Sequence, residues 1–176
     1  MQAIVRTLEP SDIPLLYRCA GSHISEPDYF EQCYEEIVQN RRVTFWLFIE
    51  KSGESGQAER ICAGYVHYNR APLYAPFRRL NIPEIQDLFI APPYRRAGLA
   101  KTLIMQCEDL ARREGHGEIG IGVGVGQEFG PAQRLYNSLG FHADGMGAVF
   151  ERQAILSGAL KPVDHRLCIM MLKSLI

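Results

Sequence analysis

The residues that most invite chemistry stand where a helix begins. Tyr94-Arg95-Arg96-Ala97-Gly98-Leu99-Ala100-Lys101 leads into a helical pattern whose face is Leu99, Leu103, Cys107 and Leu110. It offers no Asp, Asn or Ser to take up the first backbone N–H groups of that helix. Its charges also face the wrong way: Arg95, Arg96 and Lys101 crowd the positive end of the helix dipole, while Arg112 and Arg113 sit at the end that favours cations. A bound phosphate answers both faults. Free N–H groups, the dipole and the basic side chains converge on it, and Gly98 and Ala100 let the backbone come close. Taken alone, the feature also reads as a solvated basic turn.

A second oddity lies downstream. Gly120, Gly122, Gly124 and Gly126 alternate with Ile121, Val123 and Val125, so one face of a strand carries no side chains. Glycine weakens a strand, and four on one face imply that a ligand or another backbone passes close, or that a helix packs tightly there. The nearby Gly115-His116-Gly117-Glu118-Ile119-Gly120 matches a dinucleotide-binding spelling, but it follows a helix and enters a strand, the reverse of what that fingerprint requires.

Metal chemistry finds no support. His23, His67, His116, His142 and His165 lack ligand spacing, and Cys19, Cys33, Cys62, Cys107 and Cys168 include no C-x-x-C pair. The scattered cysteines fit buried small residues in a reducing cytosol.

These residues need elements to position them. Residues 2–7 read as a strand, and Pro10-Ser11-Asp12 opens a helix capped by Ser11 or Asp12. A second helix fits Tyr29 to Gln39. Thr44 to Glu50 and Arg60 to Tyr68 form an antiparallel hairpin across Ser52-Gly53-Glu54-Ser55-Gly56. Pro72, Pro76 and Pro83 make residues 70–83 a surface loop without regular structure. Then follow a strand at Glu84–Ala91, stopped by Pro92-Pro93, a helix at Leu99–Arg113 and a strand at Glu118–Val125. A helix at Pro131–Leu139 and strands at Phe141–Phe150 and Arg166–Leu172 complete the chain. No repeat or linker interrupts it, so residues 1–176 read as a single α/β domain.

The length of 176 residues suits one core, with 47% apolar and 22% charged residues. A net charge of −1 gives no general field toward nucleic acid or an anionic membrane, so an anion site must be local. Apolar runs fall short of the roughly 20 residues of a membrane span, and no signal segment is apparent. The expectation is a cytoplasmic protein without nucleic-acid or membrane partners.

Arg95-x-x-Gly98-x-Ala100 resembles the Q/R-x-x-G-x-G/A signature of GNAT acetyltransferases, in the same strand-to-helix setting. Asp87-Leu88-Phe89-Ile90-Ala91-Pro92-Pro93-Tyr94-Arg95 before it is similar to family segments, as is Gly130-Pro131-Ala132-Gln133-Arg134-Leu135-Tyr136-Asn137-Ser138-Leu139-Gly140-Phe141 after it. The resemblance is strong over residues 84–141 and looser elsewhere. It implies a GNAT-type mixed, splayed central β-sheet flanked by helices, with acetyl-CoA as co-substrate between the Glu84–Ala91 and Glu118–Val125 strands. By the resemblance the pyrophosphate lies on the backbone of Arg96, Ala97, Gly98, Leu99, Ala100 and Lys101, next to Arg95 and Thr102. The pantetheine arm pairs with the main chain around Leu88, Phe89 and Ile90.

Acetyl transfer to an amine needs a base, a carbonyl-polarising donor and an acid. Tyr136 matches the family tyrosine that protonates the departing CoA sulfur. Glu84, eleven positions before Arg95, is similarly spaced to the glutamate base of histone-type members, and acts directly or through water. Asp87 is the second choice as base: strand alternation puts it on the face opposite Glu84, and only a bulge brings both carboxylates to one site. The sequence departs from the family at Gln86, where some members carry a glutamate, and at Phe129, where many have an asparagine touching the pantetheine arm. The acceptor is an amine-bearing small molecule or peptide, set by the loops His23–Tyr29 and Arg70–Pro83. The Arg166–Leu172 strand is a candidate edge for a homodimer. A catalytically silent acyl-CoA sensor or scaffold is the alternative function.

Overall fold

Alternating β-branched and aromatic residues lay down three antiparallel strands at the start of the chain: Ala3–Thr7 (β1), Arg42–Ser52 (β2) and Ala58–Asn69 (β3). Thr7 faces Phe45 across one pair and Arg42 faces Asn69 across the next. The computed structural model describes residues 3–24, 26–52 and 58–176. Apart from Ser52, the hairpin turn expected at 52–56 lies outside the described residues. The strands that follow are Glu84–Ile90 (β4), Glu118–Gly124 (β5), His142–Phe150 (β6), Gln153–Ala154 (β7) and Leu167–Ser174 (β8). The helices are Ile13–Ala20 (α1), Tyr29–Val38 (α2), Ala75–Arg79 (α3), Leu99–Arg113 (α4) and Gly130–Ser138 (α5). The architecture is mixed α/β, an open eight-stranded sheet in the order β1-β2-β3-β4-β5-β8-β6-β7 flanked by helices.

The chain divides into two compact units, Met1–Asn69 with Asp87–Cys107 and Arg70–Gln86 with Glu108–Ile176. In the first, α1 and α2 bury Leu16, Ala20 and Phe30 with Trp46 and Tyr65 of the strands and Phe89 of β4. Each such large side chain contributes about 1.5–3 kcal/mol on leaving water. The cap expected on Ser11 or Asp12 takes another form. Asp12 precedes α1 without capping it through its side chain. Its carboxylate instead accepts the Glu9 N–H at 2.9 Å and pairs with Arg6 at 2.5 Å, closing a reciprocal box with the Glu9 side chain around the 3-10 turn Pro10–Asp12.

In the second unit, β4 runs parallel to β5 at Glu84↔Gly120 and Ile85↔Ile121. β8 pairs with β5 from Glu118↔Ser174 to Gly124↔Cys168, and with β6 on its other side. Both edges of β8 are therefore occupied within the chain, so the expectation that it pairs across a homodimer is corrected. Residues 70–83 also depart from a structureless loop, since they hold α3. Pro76 lies in its first turn, where the missing N–H of proline has no helical partner to lose. Phe77 of α3 joins Tyr74, Ile82, Val149, Cys168 and Met170 in the core of this unit. Among the described residues no helix is long and apolar enough to cross a membrane.

Candidate active site

The turn before α4 is built from special backbone. Pro92–Tyr94 closes β4 as a 3-10 turn, and Arg95 Nε donates to the Ile90 carbonyl at 2.9 Å, fixing the exit of the chain. Arg96 and Gly98 both take left-handed conformations, φ 65° and 78°. That is routine for glycine and uncommon for arginine. A Cβ on Gly98 would meet nothing within 4 Å, so its backbone is open. The Gly98 carbonyl accepts the Thr102 N–H at 3.2 Å and starts the helix. Arg95, Arg96, Ala97, Gly98, Lys101 and Thr102 are exposed, Leu99 and Ala100 half-buried. The first turn carries no acidic side chain, so the helix start suits an anion.

Asp87 breaks the strand that leads there. Its φ of 49° is a left-handed excursion inside β4, the kind of irregularity that re-aims side chains in a strand. Beyond it Phe89 is buried, while Leu88 and Ile90 are half-buried. The strand lies hard against β3, since a Cβ on Gly64 would stand 2.4 Å from the Phe89 carbonyl oxygen. The Ala91 N–H donates to the Ala63 carbonyl at 2.9 Å. Tyr29 donates its phenol to Asp87, and burial, reinforced by the Asp87 charge, drives the Tyr29 pKa far upward. His23 stacks on Phe89 with ring centroids 4.7 Å apart. Two residues from the ends of the expected acceptor loop therefore touch β4.

Glu84 is wholly buried and sits 2.7 Å from Arg152 Nη2. Arg152 comes from an unusual turn. Glu151 and Arg152, with φ of 51° and 64°, are the two residues between β6 and β7, whose strands face at Phe150↔Gln153. Such two-residue turns normally hold Asn-Gly or Gly-Gly, because both positions need positive φ. A charged pair held there is strained backbone kept in place by its surroundings. Arg152 was not foreseen from sequence. No motif marks it, and an arginine with no glycine or asparagine at a tight turn gives no cue to its partner on a distant strand.

The glycines of β5, with Gly126 just past its end, show what passes close. A Cβ on Gly120 would lie 2.2 Å from the Phe77 ring, on Gly124 2.4 Å from the Phe129 ring, and on Gly126 2.4 Å from the Glu128 carboxylate. On Gly122 it would lie 3.2 Å from Met170 Sδ and 3.4 Å from Arg152 Nη1. Of the two readings left open for this run, tight packing is what the structure shows: a ring of the helix α3 lies over Gly120, and other side chains of the chain stand over Gly122 and Gly124. Phe129, which stands where many related sequences have asparagine, is one of them. Past it, Gln133 Nε2 donates to the Gly124 carbonyl at 2.8 Å and ties α5 to β5. Tyr136 on that helix is 6% exposed, and burial pushes its phenol up to about 12. Its ring centroid lies 6.1 Å from that of Phe141.

Among the described residues no His, Cys, Asp and Glu group is arranged to hold a metal ion. Comparison with curated protein sequences gives no match. Solved structures are similar along nearly the whole chain. A Salmonella typhimurium protein with its cofactor acetyl-CoA is 18% identical with a TM-score of 0.67, covering 100% of this chain and 95% of that one. The ribosomal-protein-S18-alanine N-acetyltransferase of Escherichia coli is 17% identical with a TM-score of 0.65, covering 99% and 94%. The spermidine/spermine N-acetyltransferase of Vibrio cholerae is 20% identical with a TM-score of 0.63, covering 99% and 93%. At such identities they speak to the fold alone, and they share the open sheet. The model of the acetyltransferase (GNAT) family, however, matches the sequence itself over residues 12–141, which takes in both the basic turn before α4 and Tyr136. The chain belongs to the acetyltransferase (GNAT) family.

Proposed function

We propose that residues 1–176 act as one N-acetyltransferase domain that moves an acetyl group from acetyl-CoA to a primary amine of a small molecule or peptide. The observation that carries this reading is the start of α4: exposed, open in backbone at Gly98, flanked by Arg95, Arg96 and Lys101, and without an acid in its first turn. Backbone N–H groups from Arg96 to Lys101 would hold the pyrophosphate, with Arg95 and Thr102 beside them, and the main chain of Leu88, Phe89 and Ile90 would pair with the pantetheine arm. Acetyl-CoA, when bound, supplies the activated acyl group. One residue stretch of each compact unit lies between the two stretches of the other in sequence, and the family match runs through both, which supports a single working domain.

Tyr136 is proposed as the acid that gives its proton to the departing sulfur. A pKa near 12 keeps the phenol protonated throughout the neutral range, as that role requires. Glu84 is proposed to accept the ammonium proton through water, because a wholly buried carboxylate is covered against direct contact with a solvent-borne amine. The Arg152 guanidinium, 2.7 Å away, is the cation that faces that carboxylate. The named substrates of similar structures include spermidine and a ribosomal-protein alanine, both amines. The contacts of Tyr29 with Asp87 and of His23 with Phe89 support an acceptor selected by the His23–Tyr29 segment.

Titration calorimetry with acetyl-CoA and CoA, run on the wild type and on Arg96→Glu combined with Gly98→Glu, tests the cofactor half. Binding lost in the double variant is expected, and a wild type that binds neither ligand would overturn it. Mass spectrometry of an amine panel with saturating acetyl-CoA tests the transfer. Binding without any acetylated product would identify a silent acyl-CoA sensor instead.

A further inference from the structure

Two cysteines that the proposed reaction does not use meet on one wall of a cavity in the first compact unit. Cys19 is in the last turn of α1 and half-buried, and Cys62 lies in β3 and is buried. The Cys19 thiol reaches the Cys62 carbonyl at 3.3 Å across 43 positions of sequence, while Cys62 Sγ lies 3.8 Å from the Gly64 carbonyl. A cavity of about 330 Å³ is lined by both cysteines together with Leu15, Arg18, Arg60 and Ile61. It gives a molecule as small as a peroxide ample room.

We propose that Cys19 and Cys62 are an oxidisable dithiol, with Cys19 the sulfur that meets peroxide and Cys62 the one that closes the disulfide. The cavity wall gives Cys19 the exposure that attack requires. Cys62, whose carbonyl the Cys19 thiol touches and which lines the same cavity, is the cysteine placed to resolve the product. The thiol chemistry agrees with that order: a hydrogen bond from Cys62 lowers the Cys19 pKa against the effect of burial, while the same bond and burial raise that of Cys62. The nucleophile is the thiolate, so Cys19 is the faster of the two. Its sulfur attacks one peroxide oxygen and the O–O bond breaks. The departing hydroxide takes the thiol proton to become water, and Cys19 is left as a sulfenic acid. The Cys62 sulfur then displaces that hydroxyl, which leaves as a second water with the Cys62 proton. Two thiols lose two electrons in all, and one peroxide becomes two waters.

The three other cysteines are placed to stay out of this reaction. Cys33, Cys107 and Cys168 are buried, and burial pushes the Cys33 thiol up to about 11 and raises that of Cys168. The consequence of closure is local and structural. Residue 62 adjoins Ala63 and Gly64, the part of β3 that carries the backbone contacts to Phe89 and Ala91. A bond to α1, which packs against β3, would tie that segment to the helix.

The test treats the purified full chain with hydrogen peroxide, blocks the remaining thiols with an alkylating reagent, and maps the peptides by mass spectrometry. A Cys19–Cys62 linked pair that dithiothreitol releases, with Cys33, Cys107 and Cys168 still alkylated, is the expected result. In Cys62→Ser, dimedone should instead trap a sulfenic acid at Cys19. Peroxide that leaves Cys19 and Cys62 alkylatable would overturn the proposal, as would links that scramble among the five cysteines. Failure to trap Cys19 in a Cys62→Ser protein that keeps the wild-type circular dichroism spectrum would overturn the order of attack. The wild-type map decides the pairing whether or not the variant folds.

Discussion

Tyr136 and Glu84 are both buried, and burial serves them differently. For Tyr136 it removes water from a neutral acid and raises its pKa to about 12, so the phenol holds its proton until a strong base appears beside it. Tyr136→Phe keeps the ring beside Phe141 and removes the hydroxyl that would donate the proton. Turnover should fall about a hundredfold, the usual scale of a lost general acid, with acetyl-CoA affinity unchanged. Single-turnover kinetics against calorimetric binding will separate the two, and an unaffected rate would assign the tyrosine to packing. For Glu84, burial is tolerable because Arg152 stands 2.7 Å away. Arg152→Met should therefore cost roughly 3 kcal/mol by stranding a buried charge, and Glu84→Gln combined with Arg152→Met should cost clearly less than the sum of the single changes. Urea unfolding of the four proteins measures the coupling. Additive losses would mean the contact contributes little. Neither side chain's environment was legible in sequence: Tyr136 came from a matched helix, but the partner of Glu84 is fixed by a turn geometry that its Glu-Arg spelling hides.

At the scale of elements, β5 and α3 depend on each other. With no side chain at Gly120, the Phe77 ring of α3 occupies the space where a Cβ would be, 2.2 Å from the ring edge. Gly120→Ala should displace that ring and destabilise the protein by about 1–3 kcal/mol, the range for overpacking a close-fitted site. Adding Phe77→Leu should recover part of the loss, and a thermal melt of both variants checks this; equal melts of wild type and Gly120→Ala would show the ring free to move. The sequence made the close approach legible, because an alternating glycine run has few other causes, but it carried no sign of which residue fills the space. The helix Leu99–Arg113 was legible to both ends, since its apolar face recurs without proline or glycine until Gly115. α3 was missed for a related reason. Three prolines in residues 70–83 argued against regular structure, yet a proline in the first turn of a five-residue helix has nothing to break. β8 was found, but its place between β5 and β6 rests on long-range pairing that no local pattern encodes.

For the stability of the whole molecule, the most informative group is a histidine with no place in the proposed reaction. His67 is buried in β3, its Nδ1 2.7 Å from Thr44 Oγ1 and its Nε2 3.8 Å from Cys33 Sγ. Burial first, and then the charge of Arg42, lower its pKa from 6.5 to about 3. The native state thus holds His67 neutral, whereas the unfolded chain protonates it near its ordinary value. Between those two values the unfolded state binds the extra proton, so stability rises with pH and is lost as pH falls from 6.5 toward 3. The slope from one proton is about 1.4 kcal/mol per pH unit. His67→Gln keeps a polar side chain and cannot take up that proton. Urea unfolding from pH 7 down to 4 should give the wild type a steeper loss than the variant, by close to one proton, even though the variant starts less stable because its buried contacts are imperfect. Parallel curves would show that acid reaches His67 while the protein is still folded, and that the cluster with Thr44 and Cys33 is less closed than its burial indicates.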